Sequence, residues 1–205
     1  MATPDAGAQG QPSHLNWREG LPLLVSPRVV LRELRRSDAA ALWQVARLPG
    51  VARYSWPAPP TVDAFEAFIA QAWRDRTDGK SASFALVLRD QTEPSGVFEL
   101  RSLQPNFVRA ELSVMIDPSL WDNGTSEDGI RLVCQFGFTT IGVHRIEVRS
   151  VFRHTQYNAA LEKLGLKKEA ILRAAFAHDG HFEDQFLWAI VKGLDPLAAA
   201  PAAAG

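Results

Sequence analysis

The sequence predicts an α+β sandwich, and three observations predict it. Apolar runs of period two and of helical period succeed one another in the order β-α-α-β-β-β-α-β-α-β-β. That order mixes antiparallel hairpins with two βα units, which an α+β sandwich accommodates. The 205 residues are 46% hydrophobic and 22% charged, an ordinary soluble composition that fits one domain without an internal repeat.

The elements follow in chain order. Arg28 to Leu34 alternates Val, Val and Leu with polar residues after Ser26-Pro27, the pattern of a half-buried strand. Ser37-Asp38 suits a helix N-cap, with the helix over Ala39 to Arg47. After the proline-rich Pro57 to Pro60, Thr61 caps a helix from Val62 to Thr77 whose apolar face is Phe65, Phe68, Ile69, Ala72 and Trp73. Ser83 to Arg89 and Gly96 to Arg101 read as strands joined through a turn at Glu93 to Gly96, and Arg109 to Asp117 as a longer one. Gly124 to Ile141 is helical, Arg145 to Val151 a strand, and Tyr157 to Leu164 a short helix ended by Gly165. Lys168 to Ala175 and Asp184 to Val191 are the last strands, turning at Asp179-Gly180, with Asp184 expected to organise the hairpin.

Outside this span, residues 1–16 are rich in Ala, Gly, Pro and Gln and lack the regions of a signal peptide. They and the Ala/Pro run 196–205 read as disordered tails around a domain at 17–195. A net charge of -1 provides no basic stripe for nucleic acid. No apolar run approaches the roughly 20 residues of a membrane span. The single Cys134 allows no disulfide within the chain, which suits the cytoplasm, and its apolar helical setting reads as core. The five His lack paired thiols, so no zinc pattern is present and no metal is expected.

Chemistry concentrates where Val114-Met115-Ile116-Asp117-Pro118 passes through a glycine-containing loop into the helix at Gly124. Unpaired amides and a positive dipole end suit an anion there, a pyrophosphate above all, although many such joints bind nothing. Further runs stand in order around it. They are Ser26 to Arg32, Ala110-Glu111-Leu112 before Met115 to Pro118, Gly142 to Glu147, Leu161-Glu162-Lys163-Leu164-Gly165, and Asp179 to Asp184.

On these five runs the chain, from Pro27 to Lys192, resembles the GNAT superfamily, and within it the ribosomal-protein alanine and serine N-terminal acetyltransferases. The resemblance implies a mixed, mostly antiparallel central sheet, splayed at the cofactor site and flanked by helices. Acetyl-coenzyme A, or another acyl-coenzyme A, would lie between the splayed strands. Met115, Ile116 and Asp117 would follow its pantetheine arm. Trp121, Asn123, Gly124, Thr125 and Ser126 would meet its pyrophosphate, and His154 and Asn158 would touch it too. A primary amine, from a protein N-terminus or a small molecule, would attack the thioester directly. Glu111 is the first choice of base and Glu99 the second, each equally open to a structural role. Tyr54 and Trp56 would wall the acceptor, and His178 and His181 either face its groove or sit on an exposed turn. Homodimers are usual in this branch.

The sequence departs from the family in two places. The phosphate loop reads Trp121-Asp122-Asn123-Gly124-Thr125-Ser126-Glu127-Asp128, with three carboxylates beside a dianion. Like charges about 6 Å apart repel by roughly 3 kcal/mol at an effective dielectric of about 20. Either they are solvated and favour the helix end, or they weaken the cofactor site. His154 and Tyr157 stand where the family has Asn and a small residue. Tyr157 either protonates the leaving thiolate or packs against and fills the acyl pocket. The expected function is therefore an N-acyltransferase; the competing expectations are a binding protein with an altered cofactor site, and a different reaction using Glu111, His154 and Tyr157.

Overall fold

The computed structural model describes residues 16–51, 59–178, 180–194 and 197. The predicted tails fall almost wholly outside them, as do Tyr54, Trp56 and Asp179. Eight strands form one sheet in the order β1-β2-β3-β4-β5-β6-β8-β7. They are β1 (Leu24–Val25), β2 (Val29–Glu33), β3 (Ser81–Leu88), β4 (Pro94–Ser102), β5 (Arg109–Ile116), β6 (Arg145–Val151), β7 (Lys167–His178) and β8 (His181–Val191). Every neighbouring pair is antiparallel except β5 with β6. Only β1 is absent from the predicted order; its two residues are too few to show a period.

Strand alternation divides the core in two. Phe84, Leu86, Phe98, Leu100, Leu112, Val114 and Ile116 point to one face, where they pack with helices α3 (Thr125–Phe136) and α4 (Thr155–Lys163). Ala85, Val97 and Met115 point to the other, under α1 (Ala39–Ala46) and α2 (Val62–Thr77). The period of two sends neighbours on one strand to opposite faces.

Local chemistry sets the ends. Thr61 caps α2 as predicted, its hydroxyl accepting from the Ala64 amide at 3.1 Å. Ser37-Asp38 behaves differently: Arg36–Asp38 is a 3-10 turn, and Asp38 makes no cap to α1. Its buried carboxylate instead takes both terminal nitrogens of Arg32, at 2.7 and 2.8 Å, and the Arg35 amide at 2.7 Å. A bidentate, buried guanidinium outcompetes one helix amide for the same oxygens. The helix predicted over Gly124 to Ile141 runs α-helically to Phe136 and then widens into a π-turn, Gly137–Ile141. In the β7–β8 hairpin, Asp184 accepts from the Ala174 amide at 2.8 Å and so holds the bulge between Leu172 and Phe176. Among the described residues no helix is long and apolar enough to cross a membrane.

Candidate active site

The site begins with a missing set of hydrogen bonds. β5 and β6 pair over three register positions, Arg109 with Arg145, Ala110 with Ile146 and Glu111 with Glu147. Beyond Glu111 they part. β5 stays paired to β4 as far as Ile116 with Gly96, and β6 to β8 as far as Val151 with Gln185. Each strand thus keeps its outer neighbour, and a wedge opens inside the sheet.

One side of the wedge is filled by α4. His154 caps that helix, its Nδ1 accepting from the Tyr157 amide at 3.1 Å, and helix α4 starts at Thr155, two residues before the predicted start. The cap turns Tyr157 inward: it is only 6% exposed, and its hydroxyl has no hydrogen-bond partner. Burial, with the Cys134 thiol and the Glu111 carboxylate adding to it, pushes the phenol far above its ordinary range. Burial likewise pushes Cys134 up to about 12, in keeping with a core thiol. An inner cleft of ≈ 130 Å³ remains, lined by Val51, Val114, Ile116, Trp121, His154 and Tyr157 among others. Val114 was not singled out in the sequence, although its step of two from Ile116 carried the signal.

The loop before α3 turns on a left-handed glycine, as anion cradles do, and two of its donors, the Thr125 amide and the Ser126 hydroxyl, are already engaged. Gly124 is left-handed, with φ 81, which glycine adopts without steric penalty. Asn123 accepts from the Thr125 amide at 3.0 Å. Ser126 is fully buried and donates its hydroxyl to Glu127 at 3.1 Å, and Lys163 donates to the same carboxylate at 3.1 Å. Burial would raise the Glu127 carboxyl, but bonds from its own amide, Lys163 and Ser126 outweigh that and hold it below the usual range. Asp128 faces away, paired with Arg28 at 3.0 Å and taking the Ser26 hydroxyl at 3.0 Å. Asp122 takes the Gln156 amide at 3.1 Å. Each of the three carboxylates therefore has a partner: a cation for Asp128 and for Glu127, and a neutral amide for Asp122. An outer groove of ≈ 400 Å³ lies here, bounded by Asp122, Glu127, Thr155, Lys163, Trp121 and Gln156 among others.

Several expected contacts fall elsewhere. The Met115 side chain packs toward α1 and α2, because it lies one residue out of phase with Val114 and Ile116. Asp117 turns on its own chain, accepting from the amide of Ser119 at 2.8 Å and its hydroxyl at 2.7 Å. Asn158 accepts from Ser150 and donates to the carbonyls of Val151 and Phe152, so it pins α4 to the end of β6 and has little left for a ligand.

The two candidate bases sit on the α1–α2 face. Glu111 is the last residue before the strands part, with Arg149 3.4 Å from its carboxylate. Glu99 is buried and bonded to Arg101 at 2.6 Å. Burial raises its carboxyl, while the Arg101 charge opposes that rise. Neither borders the inner cleft, and Glu111 holds the last paired position before the wedge. His178 and His181 pair across the end of the β7–β8 hairpin. Among the described residues no group of His, Cys, Asp and Glu is placed to hold a metal ion.

An acyl-coenzyme A lying as the resemblance implies would have its phosphates in the outer groove and its arm in the wedge. The groove is of small-molecule size. The inner cleft, at ≈ 130 Å³, is well short of the roughly 300–1,000 Å³ of ligand sites. The residues fit the phosphate end and, with Tyr157 where it stands, do not fit the acyl end.

Comparison with known proteins follows the same lines. A family model described as acetyltransferase (GNAT) domain matches residues 28–167. The chain is 27% identical over 176 residues to the uncharacterized N-acetyltransferase YoaA of Bacillus subtilis, covering 83% of this chain and 97% of that one. It is 24% identical over 157 residues to the spermidine N(1)-acetyltransferase of Escherichia coli K12, covering 76% and 82%. The structure of Mycobacterium smegmatis RimJ in complex with CoA-disulfide matches with a TM-score of 0.68 at 21% identity, covering 80% of this chain and 81% of that one.

Proposed function

The chain belongs to the GNAT acetyltransferases, whose domain it carries over residues 28–167, and from that premise we propose that it acylates a primary amine at the apex of the β5–β6 wedge. The acyl donor is acetyl-coenzyme A or a close relative, which supplies an activated thioester when bound. The observation that carries the reading is the parting of β5 from β6 directly after Glu111. It leaves a carboxylate at the position where the two strands part.

Glu111 is the base. Its carboxylate, 24% exposed and held by Arg149, accepts the amine's proton directly or through a water. Glu99 serves the charge balance of β4 with Arg101, and its burial suits a structural role. Tyr157 is poorly suited as the acid: its phenol is raised and its hydroxyl has no partner through which a proton could be replenished. Trp121 borders the phosphate end, and Gly124 and Thr125 stand in the loop and first helical turn beside it. The amine belongs to a protein N-terminus or a small molecule, Tyr54 and Trp56 remain candidates for its wall, and the enzyme works in the cytoplasm as a homodimer. A binding protein without acyl transfer is not favoured.

The test is thiol release from acetyl-coenzyme A with a panel of polyamines and N-terminal peptides. Glu111→Gln should lower kcat/KM by about 10²–10⁴-fold and remove the acidic limb of the pH profile. An unchanged profile would dismiss Glu111 as the base.

A further inference from the structure

The outer groove and the inner cleft meet at shared residues. Trp121 and Gln156 line both. At the boundary three rings close a triangle: Trp121 stands 4.8 Å from Tyr157 and 5.0 Å from His154, and His154 stands 5.6 Å from Tyr157. His154 and Tyr157 line the inner cleft, so the triangle stands on the inner side of the shared wall.

Opposing terms act on the triangle. The buried hydroxyl of Tyr157 has given up its hydrogen bond to water, which disfavours the closed arrangement. Its ring contacts with Trp121 and His154, and the apolar area they bury, favour it. A side-chain rotation that returned the hydroxyl to solvent would recover the first term while losing the second. The orphan hydroxyl distinguishes this arrangement from a packed core with no polar group in it. Beside the triangle, Lys163 is bound to Glu127 across the groove, so an arriving phosphate would compete for that lysine.

We propose that Trp121, His154 and Tyr157 form a gate across the cofactor path, closed in this structure, and that the acyl-bearing arm enters only when Tyr157 leaves the wedge. The proposal rests on the acyltransferase reading above. A closed gate divides the intrinsic affinity by the fraction of molecules that are open. It acts on the arm and not on the phosphates, because only the arm has to pass the rings. Coenzyme A and its phosphate-bearing fragment adenosine 3′,5′-bisphosphate should therefore respond differently to the same substitution.

The experiment is calorimetric titration of both compounds into the wild-type chain, Tyr157→Ala and His154→Ser. Tyr157→Ala should bind coenzyme A at least tenfold more tightly than wild type, with the bisphosphate unchanged. His154→Ser keeps a good helix cap while removing one ring, so it decides the matter if Tyr157→Ala fails to fold; at least a threefold gain is expected. Equal or weaker coenzyme A binding by the folded variants overturns the gate, as does an equal gain for the bisphosphate. If wild type acylates amines while the variants leave affinity unmoved, the gate alone falls. If no protein binds coenzyme A at millimolar concentration, the acyltransferase reading falls and takes the gate with it.

Discussion

His154 shows how one residue carries two duties. Its Nδ1 caps α4, and its ring forms an edge of the aromatic triangle. Burial pushes the imidazole down from 6.5 to about 4, against a smaller opposing effect of its own backbone. Between those values the unfolded chain holds a proton that the folded chain lacks, so falling pH favours unfolding there. The contribution of this residue is intact above pH 6.5 and is lost progressively toward pH 4. Denaturant titrations of wild type and His154→Gln across pH 4 to 7 should diverge in that window, with the wild type losing stability faster. Parallel curves would show that the imidazole remains free to titrate in the folded state. Glu127, Glu147 and Glu169, whose folded carboxyls are held low, lose their contributions as pH falls through the lower carboxylate range in both proteins, so the difference isolates His154.

At the scale of elements, the docking of α3 on the sheet places the loop of the outer groove. Gly129 makes that docking possible: a Cβ there would stand 2.6 Å from Cζ of Phe98 and 3.3 Å from Leu86. Both neighbours are fully buried and have nowhere to go. Gly129→Ala should therefore show overpacking of about 1–3 kcal/mol. The helix propensity of alanine returns at most about 1 kcal/mol, so a net loss is expected. A lower urea midpoint at unchanged slope would record it; a midpoint at or above wild type would mean that α3 can lift from β4 without penalty. The same scale explains Met115. On β5 the step from Val114 to Met115 crosses the sheet, so three consecutive residues named for one ligand cannot all present side chains to it.

Over the whole molecule, ligand binding and stability are one equilibrium. Coenzyme A at a hundred times its apparent dissociation constant should add about 2.7 kcal/mol. For a domain of this size that is a rise in Tm of roughly 5–10 °C. Tyr157→Ala should begin from a lower Tm, having lost a buried ring, and reach its full rise at a lower ligand concentration. A rise at identical concentrations in both proteins would separate cofactor binding from the triangle. The sheet supplies the frame for this coupling, because β5 and β6 are each anchored on their outer sides and the wedge between them is a place where side chains can move without unpairing a strand.

The order of elements was legible in the sequence because period and caps are local. Thr61 caps the helix that it was expected to cap, Gly165 follows α4 with φ 88, and Arg145–Val151 is a strand to the residue. The loop before α3 and the segment leading into α4 were also named in the sequence, and Trp121, His154 and Tyr157 from them line the inner cleft. What those residues do there was decided by partners far away in the chain. Asp128 is answered by Arg28 and Glu127 by Lys163, which no spacing announces. Asn158 is consumed by Ser150 and the end of β6. Tyr157 is turned into the wedge by a helix cap and kept there by Trp121, which reaches it from another loop. Patterns along the chain report only what a residue's neighbours in sequence require. Charge compensation and the filling of a cleft depend on which surfaces meet, and only the folded sheet with its two helical layers brings those surfaces together.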